Sequence, residues 1–278
     1  MKILISVDIE GIAGVFNAEQ TRPGNGEYER ARRWMTDEAN AAIRGAFAGG
    51  ATEVLVNDSH GTYRNLLPDS LDTRALFVLG KPRYLGMMGG LDPECEGVMM
   101  IGYHSRAQGR GILAHTINSF AFARVTVNGM ELGEAGLYGA LAAEAGVPVI
   151  LGSGDDVFID ENREFFPGAR WVQTKVAYSH SSGVTMAPAE AQASIEQAAQ
   201  LAVQELADPA RVEPAQSLLV APPVECLLTT QGPAIADLFC TWPALSRLDG
   251  VTVRFVAASM QDAIRTLNSL AAMSFVLR

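Results

Sequence analysis

Six side chains of this sequence have a shared chemistry that none performs alone: Asp8, Glu10, His60, His104, His115 and Glu134. Carboxylates and imidazoles are the ligands of zinc and of other borderline divalent metals. Two such ions, roughly 3.5–4 Å apart and bridged by carboxylates that offset their charge, activate a water for hydrolysis. A histidine that is not a ligand can then move protons. The chain has only four histidines, and three of them, His60, His104 and His115, sit in similar strand-then-polar contexts. The fourth, His180, stands in Tyr178-Ser179-His180-Ser181-Ser182 and reads as a surface-loop residue.

Each of these residues also has a plain structural reading. Asp8 is a possible cap for the element after it, and Glu10 a solvated loop acid. Glu134 is a carboxylate favoured at a helix start by the helix dipole. The metal reading gains its weight from the elements that must position the set. In open α/β sheets, ligands bind beyond the carboxyl ends of the strands. A strand expected over residues 2–7 runs into Asp8 and Glu10; one over 53–57 ends in Asn57-Asp58-Ser59-His60-Gly61. A third, over 97–101, ends in Gly102-Tyr103-His104-Ser105-Arg106. Three strand ends thus bring ligand-type residues to one edge of a sheet. Glu134 joins from the first turn of a helix, and His115 follows His104 by one loop, in Ala114-His115-Thr116.

Further short apolar runs at 123–127, 147–151 and 171–174 are rich in Val, Ile and Leu, as in strands covered on both faces. Between them lie helical patterns. Residues 28–47 place Ala31, Met35, Ala39, Ala42 and Ala46 at steps of three and four, with Gly49-Gly50 as the stop. A second helix is expected over 134–145, and a third from Pro188 with the stripe Ala191, Ile195, Ala198, Ala202 and Leu206. The expected fold class is α/β: three layers, α/β/α, with a mainly parallel sheet. Pro209, Pro214, Pro222 and Pro223 punctuate 207–223 as a linker or irregular crossing. A helix-like piece at 234–239, a strand at 251–257 and a closing helix at 260–273 then make a smaller α+β lobe. The expected division is a main metal-binding domain over 1–206 and the smaller lobe over 207–278, with part of 107–135 a candidate to pack with that lobe.

Composition narrows the partners. The 278 residues carry a formal net charge of −10, which argues against nucleic acid and against an anionic membrane surface. Cys95, Cys226 and Cys240 are scattered without a C-x-x-C pair and read as free thiols of a reducing compartment. No run approaches 18 apolar residues, and a core-type strand starts at residue 2 with no cleavage site after it. The expectation is a cytoplasmic protein.

Other motifs compete less well. Asp155-Asp156, after Gly152-Ser153-Gly154, binds metal, caps the next helix or supports the ligands from behind. The glycines at 86–90 lack the strand-to-helix setting of a dinucleotide fingerprint. Ser59 and Ser105 adjoin histidines but sit in no G-x-S-x-G elbow. Arg106 and Arg110, near His104, keep a phosphoester substrate open.

Taken together, Ser6-Val7-Asp8-Ile9-Glu10-Gly11-Ile12, Glu53-Val54-Leu55-Val56-Asn57-Asp58-Ser59-His60, Gly102-Tyr103-His104, Ala114-His115-Thr116, Gly133-Glu134 and Gly154-Asp155-Asp156 resemble the M55 family of metallopeptidases, the D-aminopeptidases. The likeness covers nearly the whole chain and is strongest over 1–160. It implies a two-zinc aminopeptidase acting on short peptides, including those with an N-terminal D-amino acid. The implied ligands are Asp8, Glu10, His60, His104 and Glu134, with Asp8 touching both ions; the implied catalytic histidine is His115. Asn57, Asp58 and Asp155 are expected to support them. Two Zn2+ per subunit are implied, although Mn2+ or Co2+ suits the same ligands. The family likeness also implies a homodecamer of two stacked five-membered rings with active sites facing an internal channel. Two other readings stand beside it: a two-metal hydrolase of another amide, ester or phosphoester, and a peptide-binding assembly without turnover.

Overall fold

A computed structural model describes residues 1–208 and 219–278. Of the prolines expected to punctuate a linker, Pro209 and Pro214 lie outside the described residues. The first half of the chain runs β1 (Lys2–Val7), α1 (Gly26–Gly49), β2 (Glu53–Asp58), β3 (Leu76–Val78), β4 (Cys95–Ile101), β5 (Phe122–Val127), β6 (Met130–Glu131) and α2 (Glu134–Glu144). It continues with β7 (Val149–Asp155), α3 (Asp156–Asn162), β8 (Arg170–Ser179), β9 (Ser182–Thr185) and α4 (Pro188–Leu206). The tail adds β10 (Val224–Thr230), α5 (Pro233–Phe239), β11 (Ser246–Arg247), β12 (Thr252–Ala257) and α6 (Met260–Met273).

A seven-stranded sheet has the order β3-β2-β1-β4-β7-β8-β9 and is parallel except for the β8–β9 hairpin. The order reverses beside β1, which lies between β2 and β4 with both partners parallel to it. Strand β1 is buried on both faces. Ile3, Ile5 and Val7 join the core formed with α1 and α4, while Leu4 points into the second core with α2 and α6. Full burial of one such side chain stabilises by about 1.5–3 kcal/mol, so nearly every apolar residue of this strand pulls it inward. Helix α1 starts where the Asn25 side chain accepts from the Tyr28 amide, and it ends at Gly50.

The strand expected at 123–127 forms, over Phe122–Val127, but it pairs outside the parallel sheet. It belongs not to the parallel sheet but to a second, antiparallel one of order β11-β12-β10-β5-β6. Its buried stretch looks like the parallel strands in sequence, but Asn128 and Gly129, both with positive φ, turn it straight back into β6. Its other partner, β10, went unrecognised in the sequence. The signal was present: Val224, Cys226, Leu228 and Thr230 alternate buried with half-buried neighbours, the two-residue period of a strand. The second sheet therefore draws on chain segments about a hundred residues apart. Among the described residues no helix is long and apolar enough to cross a membrane, and all three cysteines are free.

Candidate metal centre

The strand ends deliver what their sequences suggest. Asp8 follows β1 directly, His60 lies two residues past β2, and His104 three past β4. Glu134 is the first residue of α2. All four, with Glu10, converge: His60 Nδ1 lies 3.0 Å from Glu10 Oε2 and 3.2 Å from Asp8 Oδ1. His104 Nε2 is 3.4 Å from both Asp8 Oδ2 and Glu134 Oε2. His115 stacks on His104 with ring centroids 4.1 Å apart, and its Nε2 is 3.7 Å from Glu134 Oε1. Ligand atoms of Asp8, Glu10 and His104 lie within 4.8 Å of one another, as do those of His104, His115 and Glu134.

The hydrogen bonds outside this cluster decide what it can accept. Each imidazole spends one nitrogen on a backbone carbonyl: His60 Nε2 on Thr21, His104 Nδ1 on Ser105 and His115 Nδ1 on Leu113, at 2.8–2.9 Å. A carbonyl only accepts, so those nitrogens carry the protons. In the neutral rings the other three nitrogens present lone pairs, and they face three carboxylates that also present lone pairs. His104 Nε2 is buried and has no hydrogen-bond partner at all. Such convergence of acceptors in a buried site needs a cation or protons. The donor set, imidazole nitrogen plus carboxylate oxygen, with each ring oriented by a backbone acceptor, fits zinc.

Without a cation the charges settle by proton uptake. Burial, and next the Glu10 carboxylate, raise Asp8 above its ordinary value. Burial also pushes Glu10 up, but His60 outweighs it and holds Glu10 well below the usual carboxylate range. Burial would lower His60 and His104, yet Glu10 acting on one and Glu134 acting on the other raise both well above an ordinary imidazole. A divalent ion would replace those protons, the linkage expected of a metal site.

The loops around the cluster are tightly held. Gly11 has no room for a side chain: a Cβ there would lie 2.0 Å from the Tyr103 carbonyl, and the Gly11 amide donates to Gly102 at 2.7 Å. The segment carrying His115 is bent through Leu113 and Ile117, both at positive φ, an unfavourable region for Ile in particular. It is pinned by the Leu113 amide on the His180 carbonyl and the Ile117 amide on Glu134. His180 itself is exposed in the β8–β9 turn, as expected. Asp155 caps α3 through the Phe158 amide and also takes the Ile112 amide at 2.6 Å, so it stabilises the same segment. Asp58 accepts from the Asn65 and Leu66 amides, which fixes the chain beyond His60. Asn57 donates to the Ser59 hydroxyl and the Met87 carbonyl. Arg106, a candidate phosphate clamp, is closed onto Glu131 and Glu161 instead.

Two supporting residues escaped the sequence reading. Lys175, in β8, is 2% exposed, and its ammonium donates to the carbonyls of Glu10 and Val15. Glu38, in α1, is fully buried; it accepts from the Ala13 amide, and burial pushes its carboxyl up to about 8. Neither carries a local sequence signal: Lys175 stands in a strand of mixed polarity, RWVQTKVAYS. Lys175→Met is expected to lower stability by about 2–4 kcal/mol, since each buried carbonyl left unpaired costs about 1–3 kcal/mol. It should also weaken metal binding roughly 10-fold, as loss of a supporting contact does. Chemical denaturation with and without zinc checks both; wild-type stability would refute the role.

A cavity of about 540 Å3 opens on the cluster, with Asp8, His60, His115 and Glu134 in its lining. Comparison with known proteins agrees with the fold and its contents. The profile of the M55 peptidases, described as D-aminopeptidase, matches residues 1–269. A D-aminopeptidase of Bacillus subtilis (strain 168) is 37% identical over 191 residues, 69% of each chain. The solved structure of the Zn-dependent D-aminopeptidase DppA from Bacillus subtilis, a self-compartmentalizing protease, superposes with a TM-score of 0.92 at 30% identity, covering 99% of this chain and 98% of that one.

Proposed function

Because this chain belongs to the M55 peptidases, the D-aminopeptidase family, we propose that its buried carboxylates and imidazoles hold two zinc ions for the hydrolysis of short peptides bearing an N-terminal D-amino acid. The chain is a metallo-aminopeptidase. The observation that carries the two-metal reading is the convergence of three imidazole nitrogens on three carboxylates, every ring already anchored to a backbone carbonyl. Asp8, Glu10, His60, His104 and Glu134 would hold the ions, and Asp8, which faces both His60 and His104, would serve both. Asn57, Asp58 and Asp155 hold the loops that carry them.

Zinc, when bound, supplies Lewis acidity toward the scissile carbonyl and toward water. The chain's own residues do the rest. His115 Nδ1 stays committed to the Leu113 carbonyl, which leaves Nε2 to take a proton from the attacking water. The same nitrogen returns that proton to the departing amine as the C–N bond breaks. We propose further that residues 1–206 carry this machinery and that 207–278, with β5 and β6, form the smaller lobe. The relative's self-compartmentalizing character supports a homodecamer of two stacked five-membered rings, testable by sedimentation.

The test of the activity is hydrolysis of matched D- and L-aminoacyl dipeptides beside metal analysis. Cleavage of the D-series at least about 10-fold faster, two zinc ions per chain, and loss on chelation with recovery on zinc are the expected results; a pocket that selects by shape achieves about this much discrimination. Chelator-resistant turnover would overturn the metal role.

A further inference from the structure

The cavity on the metal-type cluster is lined by cations as well as by acids: Lys81, Arg83 and Arg278 all contribute to it. In a chain with 31 acidic and 21 basic residues, most arginines find a carboxylate; Arg44, Arg106, Arg170 and Arg254 do so directly. These three cations spend their hydrogen bonds on neutral oxygens instead. Arg83 donates to the Asn57 side chain and to the carbonyls of Val78 and Asp58. Lys81 donates to the Gly61 carbonyl at 2.8 Å, and Arg278 to the Asn118 side chain at 3.3 Å.

Their placement is organised around Tyr63, which also lines the cavity. The Arg83 guanidinium lies 3.8 Å from the Tyr63 ring centroid and the Lys81 ammonium 5.4 Å from it. Tyr63 holds this position at φ +59°, outside the comfortable range of a bulky residue. Two buried donors in the same lining, Arg83 Nε and Asn268 Nδ2, have no hydrogen-bond partner. Lys81 and Arg278 are exposed at its rim, but the buried unpaired donors of Arg83 and Asn268 call for an acceptor in the cavity, and an anion suits the cations around it. Asp8 and Glu134, two of the proposed zinc ligands, line the same cavity and mark where the scissile bond sits. A short free peptide ends in a carboxylate, carried about 3.3–3.6 Å of backbone per residue beyond that bond.

We propose that Lys81 and Arg83, with Arg278, form the subsite for the free C-terminal carboxylate of a di- or tripeptide, so that the enzyme selects short free peptides over their C-terminal amides. The inference rests on the aminopeptidase reading and names the substrate class within it. Contacts with a carboxylate at the end of the leaving group act on substrate and transition state alike, so their loss appears mainly in KM.

The test compares a D-aminoacyl dipeptide with its C-terminal amide as substrates of the zinc-loaded enzyme. The free acid should be preferred in kcat/KM by about 10- to 100-fold, the range for a hydrogen bond to a charged group. Lys81→Met should reduce that preference about tenfold through KM, with Lys81→Arg restoring it. Arg278→Met provides an independent second variant, since Arg83 also braces the chain at Asn57 and Asp58. Equal cleavage of acid and amide by the wild type overturns the subsite while leaving the aminopeptidase intact, as does an equal loss on both substrates in Lys81→Met and Arg278→Met. Cleavage of neither overturns the aminopeptidase reading, and the subsite with it.

Discussion

Asp8→Ala is expected to lose metal at both positions and to lower kcat/KM by on the order of a thousandfold or more, beyond the roughly 10–100-fold that losing a supporting residue costs. The reason is its reach. Its two oxygens lie 3.2 Å from His60 Nδ1 and 3.4 Å from His104 Nε2, so one carboxylate serves both histidines. Glu10 approaches His60 alone among the ion-pair contacts, and Glu134 lies near His104 and His115. Glu10→Ala should therefore weaken mainly one ion. The metal-free protein should lose less stability than the zinc-loaded one, since burial and Glu10 both disfavour Asp8 as an anion there. Unfolding curves with and without zinc, beside metal analysis, separate the two effects. Retention of both equivalents in Asp8→Ala would sink the bridging role.

His115→Ala should lower kcat by about 100- to 10,000-fold, the usual contribution of a positioned acid–base group, and keep both metal equivalents. The expectation turns on how His115 differs from its stacked neighbour. The His104 side chain is 1% exposed, whereas that of His115 is 22% exposed and lines the cavity where substrate arrives. Its Nε2 stands 3.7 Å from Glu134, near enough to join a ligand set with His104. Metal analysis therefore distinguishes the roles. Loss of one zinc equivalent would make His115 a ligand and remove it from proton transfer; full metal content with slow turnover supports the shuttle.

Much of the candidate metal site was legible in the sequence because each of its parts is local. An apolar run followed within three residues by Asp, His or Glu states where a strand ends and what it carries there. The parallel-sheet rule then needs only the strand directions, which the helices between them supply. The strand at 122–127 was legible as a strand, but its sheet was not, for the complementary reason. A short buried run has the same composition in a parallel sheet as at the centre of an antiparallel one, and its true partner, β10, follows a hundred residues later. Lys175 was equally opaque: its task is to hold two carbonyls at residues 10 and 15, which no spacing around position 175 reports.

Asp8, Glu10, His60, His104, His115 and Glu134 were thus determined as a set by the sequence, together with the α/β class, since ligand chemistry and strand periodicity are written within a few residues of each other. The tertiary structure decided how those residues meet. It turned each imidazole by a backbone carbonyl, and it put β5 into a second sheet. It also gathered Lys81, Arg83 and Arg278 around a cavity that begins at the acids. These outcomes depend on which distant segments bury each other's apolar surface, a property of the whole chain that no local pattern contains.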